Sequence, residues 1–232
     1  MASDQPLQKT DTAFHAGHRE RMRQKFLDGK LADYELLELA LSFAIPRRDV
    51  RPLSRALMQK FGTVYQILTA SVEELSAVPG MGRNSAIFIK VMHSMMTIGF
   101  RNYLAKVPLF HDNTQFENYC RLQIGGKSVE ELHVLYLDNR KCLLEDECHS
   151  VGTVNESSIY PAEIARHALE LKARSVALVH NHPTPFMSFS KPDIKATTEL
   201  ASVLNAINIE LYDHYVVSGS TVYSARNMHL LD

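Results

Sequence analysis

Residues 176–193 read VALVHNHPTPFMSFSKPD, and the fold of the second half of the chain turns on them. The run Val176 to Val179 is apolar, β-branched and short, the pattern of a strand buried on both faces, and it ends abruptly at two histidines. Prolines 183 and 185 stop the strand. At the other end of the stretch, SKPD opens a helix: Ser190 suits the N-cap and Asp193 the third helical position, ahead of the amphipathic IKATTELASVLNAIN. Residues two apart on a strand point to the same side, so His180 and His182 project together from its C-terminal end. The loop and helix start then return Asp193 towards the same point.

The flanking segments extend this unit into a sheet. ELHVLYLDN alternates as a strand does, Asp138-Asn139 suits a turn, and KCLLEDECHSV reads as the next strand. PAEIARHALELKA has helical spacing with Pro161 in its first turn, and Phe116 to Leu122 reads as a shorter helix. IELYDHYVVSGSTVYSA closes the chain as two strands around Ser218-Gly219. Strand, strand, helix, strand, helix, strand, strand predicts a mixed sheet with packed helices, an α/β (α+β) domain over residues 107–232.

The first half has a different character. Residues 1–17 read as a polar tail and 18–106 as an all-helical domain. Leu36, Leu37, Ala40 and Leu41, then Leu53, Leu57 and Met58, recur at helical spacing, with Pro46 and Pro52 as breaks and Gly62 as a stop. Ser71 and Glu74 form a capping box. LSAVPGMGRNSAIFIKV then places a tight turn, Gly80-Met81-Gly82, between two helices, and looks like a helix-hairpin-helix motif. The backbone amides of such a turn can hold a phosphate oxygen, with Arg83 and Lys90 adding charge, although the same hairpin also serves as plain scaffolding. The basic run His18, Arg19, Arg21, Arg23, Lys25 is a phosphate-contacting face or a solvated helix surface.

Charge supports two jobs. Up to Lys106 there are 15 Lys and Arg against 10 Asp and Glu, and beyond it 10 against 16. An excess of five permits contact with a polyanion such as DNA without requiring it. The N-terminus has no apolar signal region and no stretch is long and apolar enough to span a bilayer, so the expectation is a cytoplasmic protein without membrane contact. Cys120, Cys142 and Cys148 are too few and too irregular for a disulfide framework or a thiolate metal knot, and are expected to be reduced thiols.

Two histidines and a carboxylate are ligands for zinc, and three protein ligands leave a fourth position for water, as in catalytic rather than structural sites. Taken alone, an HxH pair is more often ordinary loop histidine, and Ser190 with Asp193 is sufficiently explained as a capping pair. The full spacing H-x-H-P-x6-S-x2-D, here His180, His182, Pro183, Ser190 and Asp193, resembles the JAMM (MPN+) metalloprotease signature. GHRERMRQKF, DYELLELALSFAIPRRD, VPGMG, VLYLDN, GTVN, HNHP and DHYVVS further resemble RadC-like proteins, in order and over nearly the whole chain.

The resemblance implies a JAMM/MPN-like, cytidine-deaminase-like fold for the second domain and one Zn2+ per chain on His180, His182 and Asp193. It also implies a serine, Ser190, that supports the water or the oxyanion, and a general base from an upstream strand. Glu130 aligns best as that base, with Glu131 as the alternative; alternation puts the two on opposite faces, so only one can look into the site. The expected activity is hydrolysis of a peptide or isopeptide bond in a protein or peptide substrate. Duplex or branched DNA is a further expected partner, through Gly80, Gly82, Arg83 and Lys90. Two competing readings are a DNA-repair-associated binding protein without peptidase activity and a metal-dependent nuclease. The nuclease reading lacks the carboxylate cluster of two-metal sites. HNHPTP departs from the usual HNHPSG: Pro185 replaces a glycine, with Phe186, Met187 and Phe189 nearby, which leaves substrate preference open.

Overall fold

The computed structural model describes residues 10–152, 159–184 and 188–231. The chain divides into two compact units, 1–92 and 93–232.

The first unit is helical: α1 (Thr10–Leu27), α2 (Asp33–Ala44), α3 (Arg51–Phe61), α4 (Val64–Thr69), α5 (Val72–Ser76) and the start of α6 (Arg83–Leu104). Leu41, Leu57, Ile67, Leu75 and Ala86 are fully buried at its centre. Three expectations change here. The polar tail is shorter than 17 residues, because the helical backbone already begins at Thr10. Pro52 lies inside the first turn of α3, where its missing N–H costs nothing, and is not a break. The boundary expected after Lys106 is displaced to Met92, within α6, because the last turns of that helix contribute Phe100 and Leu104 to the core of the second unit. Ser71 and Glu74 do form the capping box at α5, and Gly62 ends α3 with φ of 85°.

The second unit holds the strands β1 (Glu131–Leu137), β2 (Leu143–Val151), β3 (Ser175–His182), β4 (Glu210–Ser218) and β5 (Thr221–Ser224), with helices α7 (Asn113–Ile124), α8 (Pro161–Glu170) and α9 (Lys191–Ala206). The sheet order is β2-β1-β3-β4-β5. β1 pairs antiparallel with β2 and β3, while β3 and β4 run parallel, joined through α9. A mixed sheet flanked by helices is therefore present, in the predicted order. Val134, Tyr136, Val176 and Leu178 pack with α8 and α9 on one face; Leu135, Leu137, Ala177 and Val179 pack with α7 on the other. β3 thus lies in the middle with apolar side chains on both faces, which is why its sequence is a continuous apolar run. Its histidines emerge at the carboxyl end, next to the end of β4, where open sheets with helices leave a crevice.

Candidate metal centre

Four side chains from three elements converge at that crevice. His180 and His182 stand on β3, Asp193 in the first turn of α9, and Glu130 immediately ahead of β1; one ligand atom from each lies within 4.8 Å of the others. The Nε2 atoms of His180 and His182 face each other at 3.0 Å. Asp193 places Oδ1 3.6 Å from His180 Nε2 and Oδ2 3.6 Å from His182 Nε2. Tetrahedral zinc with bonds of about 2.0–2.1 Å keeps its ligand atoms about 3.3 Å apart, and the spacing of the two Nε2 atoms and the Asp193 carboxylate is of that order. Glu130 Oε1 stands further off, 3.9 and 3.8 Å from the two Nε2 atoms.

The tautomer of His180 is set through its neighbours on α9 and β4. Thr197 Oγ has one proton and donates it to the carbonyl oxygen of Asp193, one turn back on α9, at 2.5 Å. Towards His214 Nδ1, 2.6 Å away, the hydroxyl can then only accept, so Nδ1 carries the proton. His214 Nε2 is left to accept from His180 Nδ1, at 2.7 Å. His180 Nε2 is consequently a bare lone pair aimed at the cluster, which is the state a metal ligand needs. Burial, with His180 beside it, drives the His214 imidazole well below its ordinary pKa, so it stays neutral in this relay. A lone pair facing a second imidazole at 3.0 Å and two carboxylates is satisfied either by a proton on His182 Nε2 or by a cation at their centre.

Asp193 is held from its other side. Its Oδ2 accepts from the backbone N–H and from the hydroxyl of Ser190, each at 2.6 Å, and its own N–H donates to Ser190 Oγ at 3.2 Å. The capping reading and the ligand reading therefore coincide in one pair, with the helix N-terminus fixing the carboxylate. Burial opposes ionisation of Asp193, but the polar cluster it faces, His180 and His182 first and the Ser190 hydroxyl after them, outweighs it and holds the carboxyl well below the usual range. Burial pushes Glu130 the other way, above the usual carboxylate range, with His180 and His182 only partly offsetting it. Two carboxylates in one site thus have opposite proton affinities, the division expected of a ligand and a proton carrier.

Asn181, the residue between the histidines, points away from the cluster. Its Oδ1 accepts from the N–H of Glu131 at 2.8 Å, and its Nδ2 donates to the carbonyl of Val129 at 3.1 Å. It grips the chain on either side of Glu130. Glu131 turns to the opposite face, towards Lys127 (3.1 Å) and His133 (3.5 Å). Of the two glutamates, only Glu130 reaches the histidine cluster.

Phe189 packs edge-on against His214, ring centroids 5.2 Å apart. Pro185, Phe186 and Met187 lie outside the described residues, as do residues 153–155 of the GTVN stretch. Thr197 and His214 had no assigned role in the sequence. The signal available for His214 was a histidine within the otherwise strand-like LYDHYVV, which says nothing about its partner.

The expected phosphate contacts fare unevenly. Gly82 and Arg83 are exposed at the start of α6, and Gly80 has φ of 90°, where a side chain would collide with the Arg48 guanidinium. Lys90 is committed elsewhere: its ammonium donates to the carbonyls of Leu68, Thr69 and Ala70 at 2.8, 3.2 and 2.9 Å, closing the end of α4. In the basic run, Arg19 donates to the carbonyls of Ile45, Pro46 and Arg48 beyond α2. Arg23 pairs with Glu20, and Lys25 with Glu35.

Comparison with known proteins agrees with this architecture. Residues 110–230 match the family model described as RadC-like JAB domain. The chain is 35% identical over 218 residues to UPF0758 protein FN0909 of Fusobacterium nucleatum, covering 90% of this chain and 94% of that protein. It is 36% identical over 212 residues to UPF0758 protein SPO0054 of Ruegeria pomeroyi, covering 90% and 95%.

Proposed function

As the chain belongs to the RadC-like JAB-domain family, we propose that it is a zinc-dependent hydrolase cleaving a peptide or isopeptide bond. The observation that carries the reading is the geometry of the cluster: two imidazoles and a carboxylate converging on one point and a glutamate of raised pKa held just outside them. His180, His182 and Asp193 would hold the ion. When bound, zinc polarises a carbonyl and brings a water's pKa towards neutrality. Glu130 then accepts the proton of the attacking water and returns it to the departing amine, a task that its raised proton affinity suits. Ser190, placed by the turn into α9, swings its hydroxyl from Asp193 to the developing oxyanion.

The test is paired. Cleavage of a peptide library, followed by mass spectrometry, is measured together with zinc content in Glu130→Gln and His182→Ala. The first is expected to keep its zinc and lose activity by roughly 10²–10⁴-fold, the contribution of a positioned proton carrier. The second is expected to lose one zinc per chain together with activity. Unchanged zinc in His182→Ala would refute the ligand set, and undiminished cleavage in Glu130→Gln the role of the base.

For the helical unit we propose phosphate contact at Gly82 and Arg83, without Lys90, as the route to duplex or branched DNA. Phosphate contacts predict a steep loss of duplex affinity with salt, eased in Arg83→Ala. No binding even at low salt would remove DNA from the account.

A further inference from the structure

On the face of the sheet opposite the first cluster, β1 and β2 carry a second convergence of ligand types. Glu131, His133 and Cys148 each offer one ligand atom, all within 4.8 Å of one another. His133 and Cys148 are directly paired across the two strands, and a register shift beside them, between Leu132 and His133, leaves His149 as the extra residue. Paired residues share a face with close Cβ atoms, so imidazole and thiol meet.

His133 is organised for a ligand. Its Nδ1 lies 2.6 Å from Asp146 Oδ1, and both side chains are nearly buried, 6% and 2% exposed. The other oxygen of Asp146 accepts from the hydroxyl of Tyr119 on α7. An ionised carboxylate only accepts, so Nδ1 carries the proton and Nε2 is directed towards Glu131 Oε2, 3.5 Å away. A carboxylate behind a histidine, fixing its tautomer, is the usual support of a metal-binding imidazole. Glu131 is itself divided: Oε1 takes the Lys127 ammonium at 3.1 Å, which leaves Oε2 for the cluster. Between Nε2 and Oε2 there is room for positive charge, carried either by a second proton on the imidazole or by a cation bound to both atoms.

We propose that Glu131, His133 and Cys148 form a second divalent-cation site, with Asp146 and Tyr119 as its supporting shell. Nitrogen, sulfur and oxygen donors together select a borderline, thiophilic ion, Zn2+ in the cell or Co2+ as a probe. Binding breaks the Cys148 S–H bond, forms a metal–sulfur bond and releases the proton to solvent. The ion joins β1 to β2 at the residue that follows Glu130, and so steadies the segment carrying it. Its occupancy is independent of the hydrolase reading.

Cobalt titration of the full chain tests the site, because thiolate coordination gives a near-ultraviolet charge-transfer absorption that a His/His/Asp site cannot produce. The band is expected in the native protein and in His182→Ala, and is expected to be absent in Cys148→Ser, whose replaced side chain is exposed. Elemental analysis of Cys148→Ser is expected to show one zinc fewer per chain. No band with Co2+, or a band that survives in Cys148→Ser, would overturn the proposal; a proton on His133 would then supply the charge. Loss of zinc in His182→Ala with the cobalt band intact would separate the two sites.

Discussion

Thr197 has a single hydroxyl proton, and the tautomers of His214 and His180 depend on where it goes. Because it is given to the carbonyl of Asp193, His214 must donate to Thr197 and His180 to His214, which bares His180 Nε2. Thr197→Val keeps the shape and removes the relay, leaving His214 free to take the other tautomer. The expected result is a zinc affinity lower by about 10–100-fold, the usual cost of losing a supporting partner, measured by competition with a chromophoric chelator. Unchanged affinity would mean that the relay does not orient His180. None of this chain was visible in the sequence. His180, His182 and Asp193 were legible because their spacing is local, across one strand end and one helix start. His214 was not, because its position beside His180 depends on the parallel pairing of β3 with β4, some thirty residues along the chain.

At the scale of elements, Asn181 and Lys90 are clamps whose partners lie far away in sequence. Asn181 ties the start of β1 to the end of β3 on both sides of Glu130. Asn181→Ala removes two hydrogen bonds to part-buried backbone groups, at a cost of about 0.5–1.5 kcal/mol each. It is expected to retain zinc while lowering the rate of hydrolysis, since Glu130 is displaced and the ligands are not; zinc content and rate measured on the same sample check this. Lys90 closes the end of α4. Lys90→Met is expected to lower stability to urea by about 1–3 kcal/mol and leave duplex affinity unchanged, the reverse of what a phosphate contact predicts. The sequence shows that Lys90 is a cation near a Gly turn, but the three carbonyls that claim it, at the end of α4, lie 20 to 22 residues earlier. Glu130 was legible only through the resemblance, for it stands just outside β1 and no alternation pattern marks it.

At the scale of the whole molecule, the strand and helix order of the second half was readable because each segment carried its own period. The boundary was not. α6 runs unbroken from Arg83 to Leu104 and belongs to two cores, its first turns to the helical unit and its last to the sheet unit, so no proline, glycine or polar linker marks the change. A fragment of residues 93–232 is expected to unfold cooperatively at a higher temperature than one of 107–232, which lacks Leu104, 1% exposed in the core. Removing a buried leucine costs about 2–5 kcal/mol, and calorimetry of the two fragments measures the difference. The proposed hydrolysis needs a zinc ion among His180, His182 and Asp193 with Glu130 beside it. Anomalous scattering collected at the zinc edge from a crystal of the native protein tests it most directly. A peak within bonding distance of both Nε2 atoms and of the Asp193 carboxylate, with Glu130 just beyond that distance, is the predicted result; a native crystal with no peak at these residues would contradict the account.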